Sequence, residues 1–119
     1  MASTDDVLRI ALALPEVEQR PYVDLVGVKV RGKGFAYLYE GAQTSLIKAT
    51  LEEQAALVAT NPHVYSRSHT SGRYGWVSVE LAVAPLDELA EIITEAWRLT
   101  APRRLAATLE SQIARHMRR

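Results

Sequence analysis

Side chains able to do covalent or metal chemistry are few in this chain, and their spacing argues against both. The histidines are His63, His69 and His116, none with a ligand partner three or four residues on, so a metal centre on His63 and His69 would have to borrow a carboxylate from elsewhere. Ser66, Ser68, Ser71 and His69 crowd one polar stretch, but no glycine-framed nucleophile elbow accompanies them and no Ser-His-Asp arrangement is indicated. The chain has no cysteine, which excludes disulfides, thiolate nucleophiles and cysteine-ligated zinc or iron-sulfur sites. Arg31-Gly32-Lys33-Gly34 resembles a phosphate-binding loop only superficially. It lacks the spacing of both nucleotide fingerprints, and a strand pattern follows where each requires a helix. We therefore expect neither an enzyme nor a bound cofactor or metal.

Binding chemistry is better represented. A basic hairpin tip can rest on a phosphate backbone, and Lys29, Arg31 and Lys33 stand at such a tip. The alternative is a solvated turn whose lysine keeps a sheet edge soluble. Arg67 and Arg73 interleave with His69, Tyr65 and Tyr74 farther on, a mixture suited to stacking on bases while neutralising phosphate. The simplest reading of Trp76 and Trp97 is as core anchors. If Val77, Val79 and Leu81 face the helices, however, Trp76 must share the opposite side of its strand with Ser78 and Glu80, the side on which a ligand would find Lys29 and a row of tyrosines.

Charge weighs against a strong nonspecific polyanion binder, because 14 basic side chains balance 14 acidic ones. The balance is uneven: residues 96 to 119 hold six arginines against Glu110 alone. At 119 residues one domain over the whole chain is expected. The longest apolar runs, such as Ile10–Leu14, are far too short to cross a membrane, and an acidic N-terminus is unlike a signal peptide. A cytoplasmic protein, monomer or homodimer, is expected.

The elements that position these residues read as follows. Ser3 with Asp6 resembles a capping box, and Val7, Ile10, Ala11 and Leu14 make one apolar helix face ended by Pro15. Period-two alternation then runs through Val26, Val28 and Val30 and through Phe35, Tyr37 and Tyr39, joined at Arg31-Gly32-Lys33-Gly34, where glycine, Gly32 or Gly34, is expected to supply the positive φ of the turn. Gly41-Ala42-Gln43 turns into a strand over Thr44–Ala49. Thr50 with Glu53 caps a second helix that Asn61-Pro62 ends. A short strand near Val64-Tyr65 precedes a loop over Arg67–Gly75, then a strand over Trp76–Val83. Pro85 opens a third helix with Leu86, Leu89, Ala90, Ile93, Ala96 and Trp97 on one face; after Pro102, Leu105, Leu109, Ile113 and Met117 carry a fourth. That last helix has three readings: packing on its own sheet, dimerisation, or a basic surface. The fold class is α+β: a two-layer sandwich with an antiparallel five-stranded sheet and helices on one face, in the order α-β-β-β-α-β-β-α plus a C-terminal helix.

Three segments together carry a resemblance: Ala13-Leu14-Pro15-Glu16-Val17-Glu18, Val28 through Leu38, and Gly75-Trp76-Val77-Ser78-Val79-Glu80-Leu81 followed by Glu95-Ala96-Trp97-Arg98-Leu99. On these residues the chain is similar to the MmcQ/YjbR family. The resemblance implies the same topology, also similar to the type III secretion chaperones. It further implies DNA binding through two wings, here Lys29, Arg31 and Lys33 on one and Arg67 and Arg73 on the other. A protein-interaction or adaptor module is the rival expectation, and a small-molecule binder on the aromatic sheet face a third.

Overall fold

Ser3 begins the first helix as its capping residue. Its hydroxyl accepts from the Asp6 N–H at 3.3 Å while the Asp6 carboxylate accepts from the Ser3 N–H at 2.9 Å. In this computed structural model, which describes residues 2–39 and 41–117, the helix α1 spans Thr4–Leu12 and buries Val7 and Ala11 completely. Arg118 and Arg119, and the side chains of His116 and Met117, lie outside the described residues, so the end of the basic segment and the last position of its apolar stripe are not described.

Six strands follow, not five: β1 (Val17–Pro21), β2 (Leu25–Val30), β3 (Lys33–Tyr39), β4 (Thr44–Thr50), β5 (Tyr65–Ser71) and β6 (Tyr74–Glu80). They form one sheet in the order β1-β2-β3-β4-β6-β5, every neighbouring pair antiparallel. The unexpected member is β1. Its sequence is almost wholly polar and ends in proline because it is an edge strand with only Val17 packed inward, and charge and proline are how an edge avoids recruiting another chain. The other edge, β5, takes up most of the stretch expected to be a loop. After Tyr65 every residue of it is exposed, so no hydrophobic alternation marks it. On β6 the ladder stops at Glu80, and Leu81–Val83 form a single 3-10 turn rather than more strand.

The hairpin at Arg31 and Gly32 is a two-residue loop closing the Val30–Lys33 pair. Both residues have positive φ, 49° and 82°, as the hairpin turn with matching twist requires. Gly32→Ala should therefore cost on the order of 1 kcal/mol, read as a lowered urea midpoint with unchanged slope. Of the two glycines, Gly32 is the one that supplies the turn's positive φ; Gly34 lies in β3 and is not among the positive-φ residues. A bulge opposite Val28 and Lys29 leaves Phe35 as the extra residue. It drops Phe35 into the core and separates it from Tyr37 and Tyr39, with which simple alternation would group it.

One sheet face carries Val28, Val30, Ala36, Leu38, Ile47, Ala49, Val77 and Val79, all buried. Helices cover that face: α1, α2 (Leu51–Thr60) and α3 (Leu86–Thr100). α3 buries Leu89, Ile93, Ala96 and Trp97. Trp97 is 0% exposed, and its indole N–H donates to the Pro15 carbonyl at 3.0 Å, which fastens α3 to the link between α1 and β1. Tyr65 does the same at the other end of α3, donating to Glu88 Oε1 at 2.8 Å; burial first, then Glu88, raises its phenol well above the usual value. The last helix, α4 (Arg103–Met117), packs through its first half. Leu105 is buried and Leu109 partly so, whereas Ile113 is 41% exposed.

Candidate nucleic-acid interface

Helices α1, α2 and α3 pack on one side of the sheet, and the residues that alternate with its core positions form the other side. Strand register places Arg20, Gly27, Tyr37, Leu46, Ser78 and Ser66 in one row across it. A neighbouring row, nearer the β2–β3 and β5–β6 turns, contains Glu18, Lys29, Lys48, Trp76 and His69. An antiparallel sheet with one solvated face ordinarily alternates apolar-in with polar-out. Here the outward positions are rich in aromatic rings, and Trp76 is among them. Its reading as a core anchor is corrected by strand alternation: Gly75, Val77 and Val79 point to the helices, so Trp76 cannot.

The rings touch one another. Tyr37 and Trp76 have centroids 5.7 Å apart and planes tilted by 46°; His69 lies nearly parallel to Trp76 at 5.9 Å. Two glycines make room beneath Tyr37. A Cβ on Gly27 would come within 3.0 Å of Tyr22 Cε2 and 3.3 Å of Tyr37 Cε1, and one on Gly34 would overlap the Tyr37 hydroxyl. That contact, rather than a turn, explains Gly34.

Cations edge this aromatic row. Lys48 Nζ lies 4.1 Å from the Tyr74 ring centroid and donates to Thr100 Oγ1 at 3.2 Å, and Arg73 lies 5.4 Å from the same ring. Burial lowers the Lys48 pKa below its ordinary value; Tyr74 opposes that, and the charges of Lys33 and Arg73 lower it further. Both hairpin tips thus reach the same end of the sheet and meet around Lys48, because β4 ends between β3 and β6. Lys29 stands on the same face, 5.4 Å from the Tyr22 ring.

The other two basic residues of the expected wings are placed differently. The Arg31 guanidinium forms a two-point pair with Glu16, at 2.8 and 3.0 Å, which holds the Glu16 carboxyl below its usual range. Arg67 pairs in register with Val77 and lines a shallow groove with Gln54, Ala55, Val58 and Ala59 on the α2 side of the sheet. Of five residues, then, Lys33 and Arg73 come together, Lys29 shares their face, and Arg31 and Arg67 point elsewhere. Lys48 is the member that sequence reasoning missed.

Gln54 was missed as well. Nearly buried on α2, it donates from its amide to the carbonyls of His69, at 3.1 Å, and Trp76, at 2.9 Å. It thereby satisfies the backbone where β5 bulges between Arg67 and His69, and it fixes the strand pair that carries both rings. An added Cβ at Gly75 would sit 2.7 Å from Gln54 Cδ, so the glycine preceding Trp76 is what lets this amide in. The local sequence of Gln54 carries no signal, because nothing near a lone helix glutamine shows that it will face Gly75.

The two layers differ in charge. α1, α2 and α3 carry eight acidic side chains against Arg9 and Arg98, while the open face has Arg20, Lys29 and Lys48 against Glu18 and Glu80, with Lys33 and Arg73 at its tips. Burial, with Glu95 nearby, raises the Glu53 pKa within the acidic layer. Ser68 Oγ and His69 Nδ1 lie 2.9 Å apart at the exposed β5 edge, and among the described residues no carboxylate is bonded to that histidine. No group of three His, Asp or Glu side chains able to hold a metal occurs among the described residues, and none of their helices is long and apolar enough to cross a membrane.

The family model described as YjbR matches residues 12–99. An uncharacterized protein of Mycobacterium tuberculosis, Rv2570, is 32% identical over 120 residues, covering 88% of this chain and 93% of its own; an uncharacterized protein of Mycobacterium bovis, Mb2600, matches with the same figures. The crystal structure of the Deinococcus radiodurans protein DR2400, a DUF419-domain protein, superposes with a TM-score of 0.73 at 20% identity, over 83% of this chain and 78% of that one. At that identity the superposition speaks to fold alone.

Proposed function

The chain belongs to the YjbR family, and from that premise we propose that it is a nucleic-acid-binding module that does no covalent chemistry and grips phosphate at the tip end of its open sheet face. The observation that carries this reading is the strand order: β4 runs antiparallel between β3 and β6, so Lys33 at the start of β3 and Arg73 just before β6 flank the end of β4 that carries Lys48. Lys33 at the start of β3, Lys48 on β4 and Arg73 in the turn before β6, with Lys29 beside them, make a spaced row rather than a single exposed lysine. Phosphate backbones are recognised by such rows. The acidic side chains of α1, α2 and α3 belong to the other layer, so a molecule of zero net charge still gathers cations at this end of the sheet.

Four phosphate contacts give an expected slope of log K against log salt of about −3, from roughly −0.7 each for single strands to −0.9 each for duplex. Raising salt from about 50 to about 200 mM should then weaken binding roughly 50- to 150-fold. A fluorescence titration with labelled oligonucleotides across that range measures it. A slope near zero would mean that contacts other than phosphate dominate.

The protein-interaction reading draws on a different observation, the long exposed edge of β5, which leaves backbone donors and acceptors from Ser66 to Ser71 facing outward. If no oligonucleotide binds below about 100 μM at low salt, weaker than nonspecific DNA binders at physiological salt, that reading replaces the first.

A further inference from the structure

We propose that the ligand of the open face is a single-stranded nucleic acid, whose unpaired bases stack on Trp76 and Tyr37 while Lys33, Lys48 and Arg73 hold its phosphates. The inference rests on the nucleic-acid reading above and adds to it the form of the strand.

Phosphate contacts alone would need only the hairpin tips. They leave unexplained why the outward side of β3 and β6 carries Tyr37, Trp76 and Tyr74 where polar residues would serve solubility. These rings are half-buried rather than covered, and α1, α2 and α3 pack on the core side of the sheet, α3 meeting this face only through the Thr100–Lys48 bond among the described side-chain hydrogen bonds. Their placement is also maintained at a cost: two glycines in strand interiors, Gly27 and Gly34, forgo packing so that the Tyr37 ring can lie against the backbone. Gln54 spends a buried amide on the carbonyls of His69 and Trp76. The rings are thus held in position before any ligand arrives, as stacking requires.

Duplex DNA hides the faces of its bases inside the helix, so it can use the cations but not the rings. A single strand offers both: every base has a π face, and its backbone can run along the row from Arg73 past Lys48 to Lys29. Charge complementarity and an aromatic row occupy the same face, and a single strand is the polyanion that satisfies both.

The test uses the full chain with three probes at low salt: a 12-nucleotide single strand, the duplex of the same sequence, and an abasic 12-mer that keeps the phosphates. Anisotropy gives affinity, and intrinsic fluorescence reports stacking, because Trp76 is accessible and Trp97 is enclosed. The single strand should bind at least tenfold more tightly than either control and quench the fluorescence. Trp76→Ala should weaken the single strand by roughly 5- to 150-fold, the range of one lost stacked base, and leave the abasic probe unchanged. His69→Ala, on the exposed edge strand, provides a second variant should Trp76→Ala melt early, and is expected to act in the same direction. Equal binding of all three probes without quenching would overturn the proposal and leave the phosphate site standing. Binding of none of them would remove both.

Discussion

Trp97→Ala should destabilise the protein by about 3–5 kcal/mol, the usual cost of deleting a large aromatic from a packed core. Domains of this size are stable by about 5–15 kcal/mol in all, so the variant should melt many degrees lower or fail to fold at 37 °C. Two losses coincide at this position. The side chain is 0% exposed, so its removal leaves a cavity that α3 cannot close alone, and the Pro15 carbonyl loses the indole donor that ties it to α3. Denaturation in urea followed by circular dichroism measures the change. A loss below about 1 kcal/mol would mean that the α1–β1 link is held by something other than Trp97. Trp76→Ala in the same assay is expected to stay near 1 kcal/mol, since that ring is half-buried beside Tyr37 and His69 on the open side.

Reversing Lys33 and Arg73 to glutamate together should lower nucleic-acid affinity on the order of 100-fold or more at low salt, because two phosphate contacts vanish and two repulsions replace them. The fold should survive, for both residues are exposed at hairpin tips and neither forms an ion pair among the described residues. A matched control is Arg31→Glu with Glu16→Arg, which exchanges the partners of an existing pair without altering net charge. That variant should bind within a fewfold of the parent chain. Comparable losses in both would indicate that affinity follows the general field of the β2–β3 hairpin and not the meeting point of the two tips.

Much of the architecture was legible in local signals. Ser3 with Asp6 and Thr50 with Glu53 marked helix starts because capping is chemistry between near neighbours. The α3 face from Leu89 to Trp97 kept its period because all of it packs on one surface. The edge strands were harder. β1 and β5 bury almost nothing on either side, so their sequences lack the alternation by which a strand is recognised. The bulge at Phe35 escaped notice for a related reason: one extra residue reverses the alternation, and nothing in Gly34-Phe35-Ala36 announces it.

The candidate site was legible only in parts. Lys33 and Arg73 were visible as hairpin-tip cations, but their proximity depends on β4 lying between β3 and β6, a pairing between strands far apart in sequence. Lys48 looked like any outward strand residue. Arg67 looked equivalent to Arg73, and only the β5 register shows it across the sheet from Trp76. Gln54 was invisible as a single polar residue in a helix until the glycine opposite it had a position.

The opposite charges of the two layers have a consequence for how the molecule moves. Neutral overall, it separates its charge: α1, α2 and α3 carry eight acidic side chains against two arginines, whereas the hairpin tips and α4 are basic. Such a body feels a torque near a charged surface before it feels any net pull. The same separation favours stacking of one copy's acidic helices on the next copy's basic surface in dilute buffer near pH 7, where the net charge is zero. Moderate salt should dissolve those stacks: the protein would salt in before it salts out.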